Sequence, residues 1–270
     1  MYDFYMGETL DFEDDICILR LNQEYNRNCL YSHKFVYDYT DDRLQKLRDI
    51  CNLDSLAGNG SEFTKMLRVT VGIGRFLEFG KASNIDSFHA IEVLNKTKQG
   101  FKSNCFVAAT VLSECFLSMG YVARVVRCMP IDLRFNECHC MTIAYVQDMN
   151  KFVAFDAAMG GCYIDSKGRP LGISEIRKNI IEGKDVHLRS IFKTRGQNII
   201  AYLCKNMIRF QSHKVSKYGN ETSKLFNIIN LNPITIPLRD KHNYNTQCNY
   251  EYTYNDECFW ETTNDFTKIV

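Results

Sequence analysis

The stretch from Cys105 to Gly120 constrains this chain more than any other. Cys105, Ala108, Ala109, Leu112, Cys115, Phe116 and Met119 follow the spacing of one helix face. Gly120 supplies the residue that stops such a helix, and Ser103 or Asn104 is placed to cap its start. Cys105 therefore falls in the first turn. There, unpaired backbone N–H groups and the helix dipole favour a thiolate and can bind an oxyanion. On position alone Cys105 reads first as a small apolar member of a buried stripe. A nucleophile needs partners.

After Gly120 the pattern changes from helix to strand. Tyr121 to Cys128 is rich in β-branched residues and reads as a strand, followed by a loop containing Pro130 and Asn136. His139 to Val146 forms a second strand, Gln147 to Asn150 a turn, and Lys151 to Asp156 the returning strand. With a hairpin loop of two or four residues, Val146 faces Lys151 and the numbers of facing residues sum to 297. His139 then faces Ala158, Met141 faces Asp156, and His139 and Asp156 share a face as diagonal neighbours. A three-residue loop would put Asp156 on the opposite face. A carboxylate diagonal to an imidazole fixes its tautomer and stabilises the imidazolium, so the ring can take a proton from a thiol.

The rest of the chain frames these elements. Residues 1–41 read as short strands and loops. A helix is expected from about Asp42, with Leu44, Leu47, Ile50 and Cys51 on one face. A second is capped by Ser61 and carries Phe63, Met66, Leu67, Thr70, Ile73 and Leu77. A shorter one is capped by Asp86 or Ser87 and ends near Gly100. Beyond the hairpin, helices are expected from Ser174 as N-cap to Gly183, and from about Asn198 to Phe210. The tail from Gln211 reads as irregular strands and loops holding the sole tryptophan, Trp260. The fold class is α+β, helices first and an antiparallel sheet after them. Three segments are expected: an appendage over 1–60, a catalytic core over 61–190 and a C-terminal appendage over 191–270.

With 270 residues and 45% hydrophobic composition, the chain can bury a core without staples. A formal net charge of +1 and no long basic run argue against nucleic acid or an anionic membrane as partner. The N-terminus lacks the basic-then-apolar pattern of a signal peptide and no apolar run is long enough for a span, so a cytoplasmic protein is expected. Its twelve cysteines are scattered and contain no CxxC pair, which fits reduced, mostly buried thiols. The sequons at Asn59, Asn95 and Asn220 then carry no glycan. Cys138-His139-Cys140 does not make a metal site, because in a strand the cysteines point one way and the histidine the other. Cys128 and Cys162 add no ligand spacing. Gly72-Ile73-Gly74 lacks the third glycine of a phosphate-binding loop. No cofactor is expected. His33, His89, His187, His213 and His242 have no partner that the sequence names.

Three segments together resemble a known family. Gly100-Phe101-Lys102-Ser103-Asn104-Cys105 opens a helix, and Gly120-Tyr121-Val122-Ala123-Arg124-Val125-Val126 leads into a strand. Cys138-His139-Cys140 begins a strand, and Ala154-Phe155-Asp156-Ala157 ends the next. In this order the segments resemble the transglutaminase-like superfamily of cysteine enzymes, in its bacterial type, over roughly residues 61–190. Tyr163-Ile164-Asp165, Gly168 and a helix at Ser174 resemble the stretch beyond that family's aspartate. The resemblance implies a papain-like core with the cysteine helix packed on an antiparallel sheet, and Cys105, His139 and Asp156 as catalytic triad. It implies thiol-dependent hydrolysis of an amide or ester, or acyl transfer to an amine, on a peptide or protein substrate. Arylamine N-acetyltransferases share the Cys-His-Asp order. A catalytically silent binding module of the same fold is the alternative of a different class. Arg75 to Phe79 lies where the family places its upstream oxyanion segment, without the expected tryptophan or histidine, and the second oxyanion donor is unassigned. No acidic cluster suggests the calcium sites of animal transglutaminases.

Overall fold

The computed structural model describes residues 12–26, 34–80, 89–131, 138–192, 198–220, 226–237, 248–260 and 267–270. Asn136, His33, His242 and the caps Asp86 and Ser87 lie outside them. The first half is mostly helical: α1 (Phe12–Leu21), β1 (Val36–Asp38), α2 (Arg43–Ile50), α3 (Leu53–Ala57), α4 (Glu62–Phe76), β2 (Glu78–Phe79) and α5 (Ala90–Thr97). The site-bearing elements come next: β3 (Lys102–Ser103), α6 (Cys105–Ser118), β4 (Ala123–Met129), β5 (His139–Val146) and β6 (Lys151–Asp156). Then come β7 (Gly161–Ile164), α7 (Ile173–Ile181), β8 (His187–Ser190), α8 (Ile199–Asn206), β9 (Arg209–His213) and β10 (Val215–Ser216). The described chain closes with β11 (Phe226–Leu231), β12 (Cys248–Thr253), α9 (Asp256–Trp260) and β13 (Thr267–Ile269).

The class is α+β, but the sheet is mixed rather than antiparallel. Its eight strands run in the order β12-β11-β9-β4-β5-β6-β7-β8. β11 and β12 pair in parallel, and every other pairing in this sheet is antiparallel. Strands from beyond residue 190 thus extend the sheet built by residues 123–190. A second sheet joins distant parts of the chain, with β1 between β10 and β13 in parallel.

Helix α6 lies against β4, β5 and β6 on one side and α2, α4 and α5 on others. Everything from Val107 to Ser118 is accordingly buried, so the apolar stripe in the sequence marks one side of a helix enclosed all round. Polar side chains on such a helix need partners. The Glu114 carboxylate accepts the Ala90 N–H at 2.7 Å and the Gly219 N–H at 2.8 Å. Thr142 on β5 donates its hydroxyl to the Ala109 carbonyl at 2.8 Å, which fixes the height of the helix on the sheet. Phe116 packs edge-on against Phe155 of β6, with ring centroids 5.3 Å apart.

Arg124 ties the ends of the chain to the sheet. Fully buried on β4, its guanidinium lies 3.8 Å from the Phe35 ring centroid. It donates to the Tyr37 hydroxyl at 3.2 Å and to the Phe259 carbonyl. Trp260 sits in α9 against Phe210, at 4.9 Å between centroids.

Several local expectations need correction. Residues 12–21 are helical, not strand or loop. The cap of α5 is His89, whose ring accepts the Glu92 N–H at 3.4 Å. His89 also has a named partner in the Tyr218 hydroxyl, 2.9 Å away. The helix expected from Ser174 begins instead after Gly172, where Glu175 folds back onto the Gly172 N–H. A Cβ at Gly172 would stand 2.7 Å from the Phe152 carbonyl, so close backbone approach fixes the cap there. The helix expected to reach Phe210 stops at Asn206, because residues 209–213 gain sheet partners on both sides, in β4 and β11.

Candidate active site

Cys105 opens α6 because Asn104, in extended conformation, caps it by accepting the Val107 N–H at 3.0 Å. The approach is fixed by β3, which pairs in parallel with β2 so that Phe79 lies opposite Ser103. Gly80 then donates its N–H to the Ser103 carbonyl at 3.0 Å. The upstream segment from Arg75 to Phe79 is therefore held beside the strand that delivers the cysteine. Cys105 is half-buried, and its sulfur lies 3.6 Å from the Cys138 carbonyl oxygen.

His139 is the first residue of β5. The hairpin has the four-residue turn, with Val146 facing Lys151 and Thr142 facing Phe155, so facing numbers sum to 297. The imidazole Nε2 lies 2.7 Å from Asp156 Oδ2, and both side chains are buried. Asp156 accepts two further bonds, from the Met159 N–H to Oδ1 at 3.0 Å and from the Tyr163 hydroxyl to Oδ2 at 2.8 Å. A carboxylate holding two other donors is an acceptor toward the ring, so Nε2 carries a proton. Nδ1 is buried and without a hydrogen-bond partner.

The electrostatics link ring and thiol. Burial opposes charge on His139, but the Asp156 charge and hydrogen bond, and after them contact with Cys105, push its pKa up to about 10. A hydrogen bond from the Cys140 thiol holds Cys105 well below the ordinary thiol range. Burial opposes this, and the nearby His139 charge adds to it. Both shifts favour a negative charge on Cys105 and a positive charge on the His139 ring. Cys140, the donor, is pushed well up by its bonds to Cys105 and Cys138 and by burial. Burial keeps the Tyr163 hydroxyl protonated and donating.

Three contributors escaped the sequence reading. Tyr163 was legible in principle. Asp156 faces Gly161 across β6 and β7, and period two places Tyr163 on the same face one step along. Tyr202 of α8 sets its ring edge-on to His139 at 6.0 Å and donates its hydroxyl to the Cys138 carbonyl at 3.2 Å. No local pattern couples a residue 63 positions away to His139. Cys140 shares a face with Cys138, their sulfurs 3.8 Å apart, and it is the strongest influence lowering the Cys105 thiol.

Among the described residues no group of three or more His, Cys, Asp or Glu side chains is arranged to hold a metal ion, and no helix is long and apolar enough to cross a membrane. None of the ten cysteines whose side chains are described is in a disulfide. No family model matches the chain, and no curated protein does. Among solved structures, a putative cysteine protease from Cytophaga hutchinsonii is similar at 16% identity and a TM-score of 0.36. The overlap covers 67% of this chain and 57% of that one, so the chain spans little more than half its length. A likeness of that size decides neither fold family nor chemistry.

Proposed function

We propose that this protein is a thiol-dependent acyl-transfer enzyme on a papain-like, transglutaminase-like core, cleaving an amide or ester or passing its acyl group to an amine. The observation that carries this reading is the His139 ring. One nitrogen is bound to a buried carboxylate at 2.7 Å, the other is buried and unbonded, and the ring's charge is coupled to Cys105.

In the mechanism, the Cys105 thiolate attacks the carbonyl carbon and the carbonyl electrons move to oxygen. The backbone N–H of Cys105, at the positive end of α6, donates to that oxyanion. When the tetrahedral adduct collapses, the imidazolium gives the Nδ1 proton to the leaving amine or alcohol, and a thioester remains on Cys105. His139, now neutral, takes a proton from the incoming water or amine, which attacks the thioester and expels the thiolate. Asp156 holds the ring throughout and stabilises its charged form. A reducing, cytoplasmic setting suits a nucleophile surrounded by free thiols. Peptide or protein amides are the substrate class implied by the fold resemblance.

An activated acetyl ester tests the reading. The protein should release alcohol in a burst of one equivalent and carry one acetyl group on the Cys105 peptide, and Cys105→Ser should do neither. Acetylation of another residue, or turnover surviving in Cys105→Ser, would refute it.

A further inference from the structure

Tyr202 meets the candidate site at two points that the proposed mechanism does not use. Its hydroxyl donates to the Cys138 carbonyl at 3.2 Å, and its ring stands nearly perpendicular to the His139 ring, with centroids 6.0 Å apart. The same carbonyl oxygen lies 3.6 Å from the Cys105 sulfur. One oxygen thus stands between a tyrosine hydroxyl and the candidate nucleophile. Left to itself, such an oxygen works against a thiolate. Its partial negative charge repels an ionised sulfur, and its lone pairs offer a neutral thiol an acceptor.

We propose that Tyr202 is a positioning residue for acyl transfer at Cys105, its hydroxyl holding the Cys138 carbonyl and offsetting that oxygen's charge beside the sulfur. The hydroxyl hydrogen turns its positive end to the oxygen, so the field that the sulfur meets is less hostile to negative charge. Tyr202 acts through the carbonyl and not on the substrate. This rests on the reading of Cys105 as the nucleophile.

Helix α8 holds the tyrosine ready for this. Ile199, Leu203 and Cys204 are buried and seat the helix, leaving Tyr202 half-buried beside the start of β5. The Tyr202 N–H donates to the Asn198 carbonyl at 3.0 Å, and its carbonyl accepts from the Asn206 side chain at 2.9 Å. The hydroxyl is therefore carried by a fixed element and needs little further ordering. The ionisable groups around the sulfur are His139 and Cys140 of β5, Cys138 just before them and Cys128 of β4, with Asp156 of β6 behind the ring. Tyr202→Phe leaves all of these in place and keeps the aromatic ring beside His139.

The test is the pH profile of Cys105 alkylation by iodoacetamide, mapped by mass spectrometry on the full chain in wild type, Tyr202→Phe and Tyr145→Phe. The Tyr145 hydroxyl bonds the Asn150 side chain at 2.6 Å, at the turn end of the hairpin, and its loss should leave the midpoint where wild type has it. Tyr202→Phe should raise the midpoint by about 0.5–1 pH unit, on the order of one hydrogen bond's net worth expressed as a pKa change. On the acidic side the thiolate fraction then falls by about 3- to 10-fold. A tyrosine that only braces the fold would lower the thermal midpoint of unfolding and leave the alkylation profile unmoved. Coincident profiles in wild type and Tyr202→Phe, or an equal shift in Tyr145→Phe, would overturn the proposal and leave the acyl-transfer reading standing. A wild-type midpoint near the ordinary thiol value of about 8.5 would overturn both, because Cys105 would then carry no activation for Tyr202 to support.

Discussion

Replacing Asp156 with Asn keeps the shape of the site and removes its buried charge. The amide cannot satisfy all three partners. With its oxygen toward His139 and Tyr163, its NH2 meets the Met159 N–H as donor against donor. Flipped, its NH2 faces Nε2 and forces the ring proton onto Nδ1, the atom that must stay free for the thiol. Either arrangement leaves one buried donor without an acceptor, at about 1–3 kcal/mol. Without the carboxylate, burial leaves His139 neutral at pH 7, and the thiolate loses its cation. If Cys105 returned to the usual thiol pKa of about 8.5, its thiolate fraction at pH 6 would fall roughly 300-fold. A higher-pKa thiolate is a better nucleophile, with a Brønsted slope of about 0.4–0.5, which gives back part of that loss. Iodoacetamide should therefore alkylate Cys105 more slowly at pH 6, by less than that roughly 300-fold bound, since the Cys140 influence on the thiol also survives. The wild-type rate should be nearly flat with pH where the variant's climbs. Acyl-transfer turnover should fall more, about 10⁴-fold by analogy with the serine triad. An Asp156→Asn protein that alkylates at pH 6 as fast as wild type would refute the coupling between carboxylate, ring and thiol.

Tyr163→Phe removes one donor from the Asp156 carboxylate and should cost about 1–3 kcal/mol in denaturant unfolding, with no loss if Tyr163 does not hold the carboxylate. Gly74→Ala would place a Cβ 2.6 Å from the Ala157 carbonyl and 3.0 Å from the Gly160 Cα, just after Asp156. It should destabilise by about 1–3 kcal/mol and slow Cys105 alkylation, whereas a variant as stable and reactive as wild type would contradict the close approach. The pair also has a pH signature. His139, with its pKa raised to about 10, contributes stability that is full below about 6.5 and is lost as pH rises through about 10. Cys105, held low, has the opposite sign: its contribution is full above about 8.5 and lost as pH falls through its folded value. Between about 6.5 and 8.5 the two cancel. Cys105→Ser leaves the histidine alone, so its stability relative to wild type should decline with rising pH, by at most about 1.4 kcal/mol per pH unit; a flat difference would count against the ion pair.

The legible part of the sequence was local or periodic. The Cys105 helix, its Asn104 cap and its Gly120 stop rest on spacing and cap chemistry within one element. The His139–Asp156 approach comes from a single hairpin register, which fixes faces by parity. The failures are where tertiary partners override local preference. Residues 207–210 continue a helical apolar pattern, yet from Arg209 on β4 and β11 offer sheet hydrogen bonds on both sides. Ser174 has cap chemistry, but the contact between Gly172 and the Phe152 carbonyl sets the helix start. Tyr202 reaches the His139 ring only because α8 packs beside the strand, which nothing near either residue encodes.

Competition labelling tests the central claim most directly. The native protein is treated at pH 6 with iodoacetamide limiting relative to its twelve cysteines, then unfolded, and every thiol is mapped. Cys105 should take most of the label, because its thiolate persists at a pH where an ordinary thiol, at about 8.5, is almost wholly protonated. Label arriving first at Cys17, the exposed cysteine among the ten described, or at Cys138, would mean that exposure rather than activation governs reactivity, and Cys105 would not be the nucleophile.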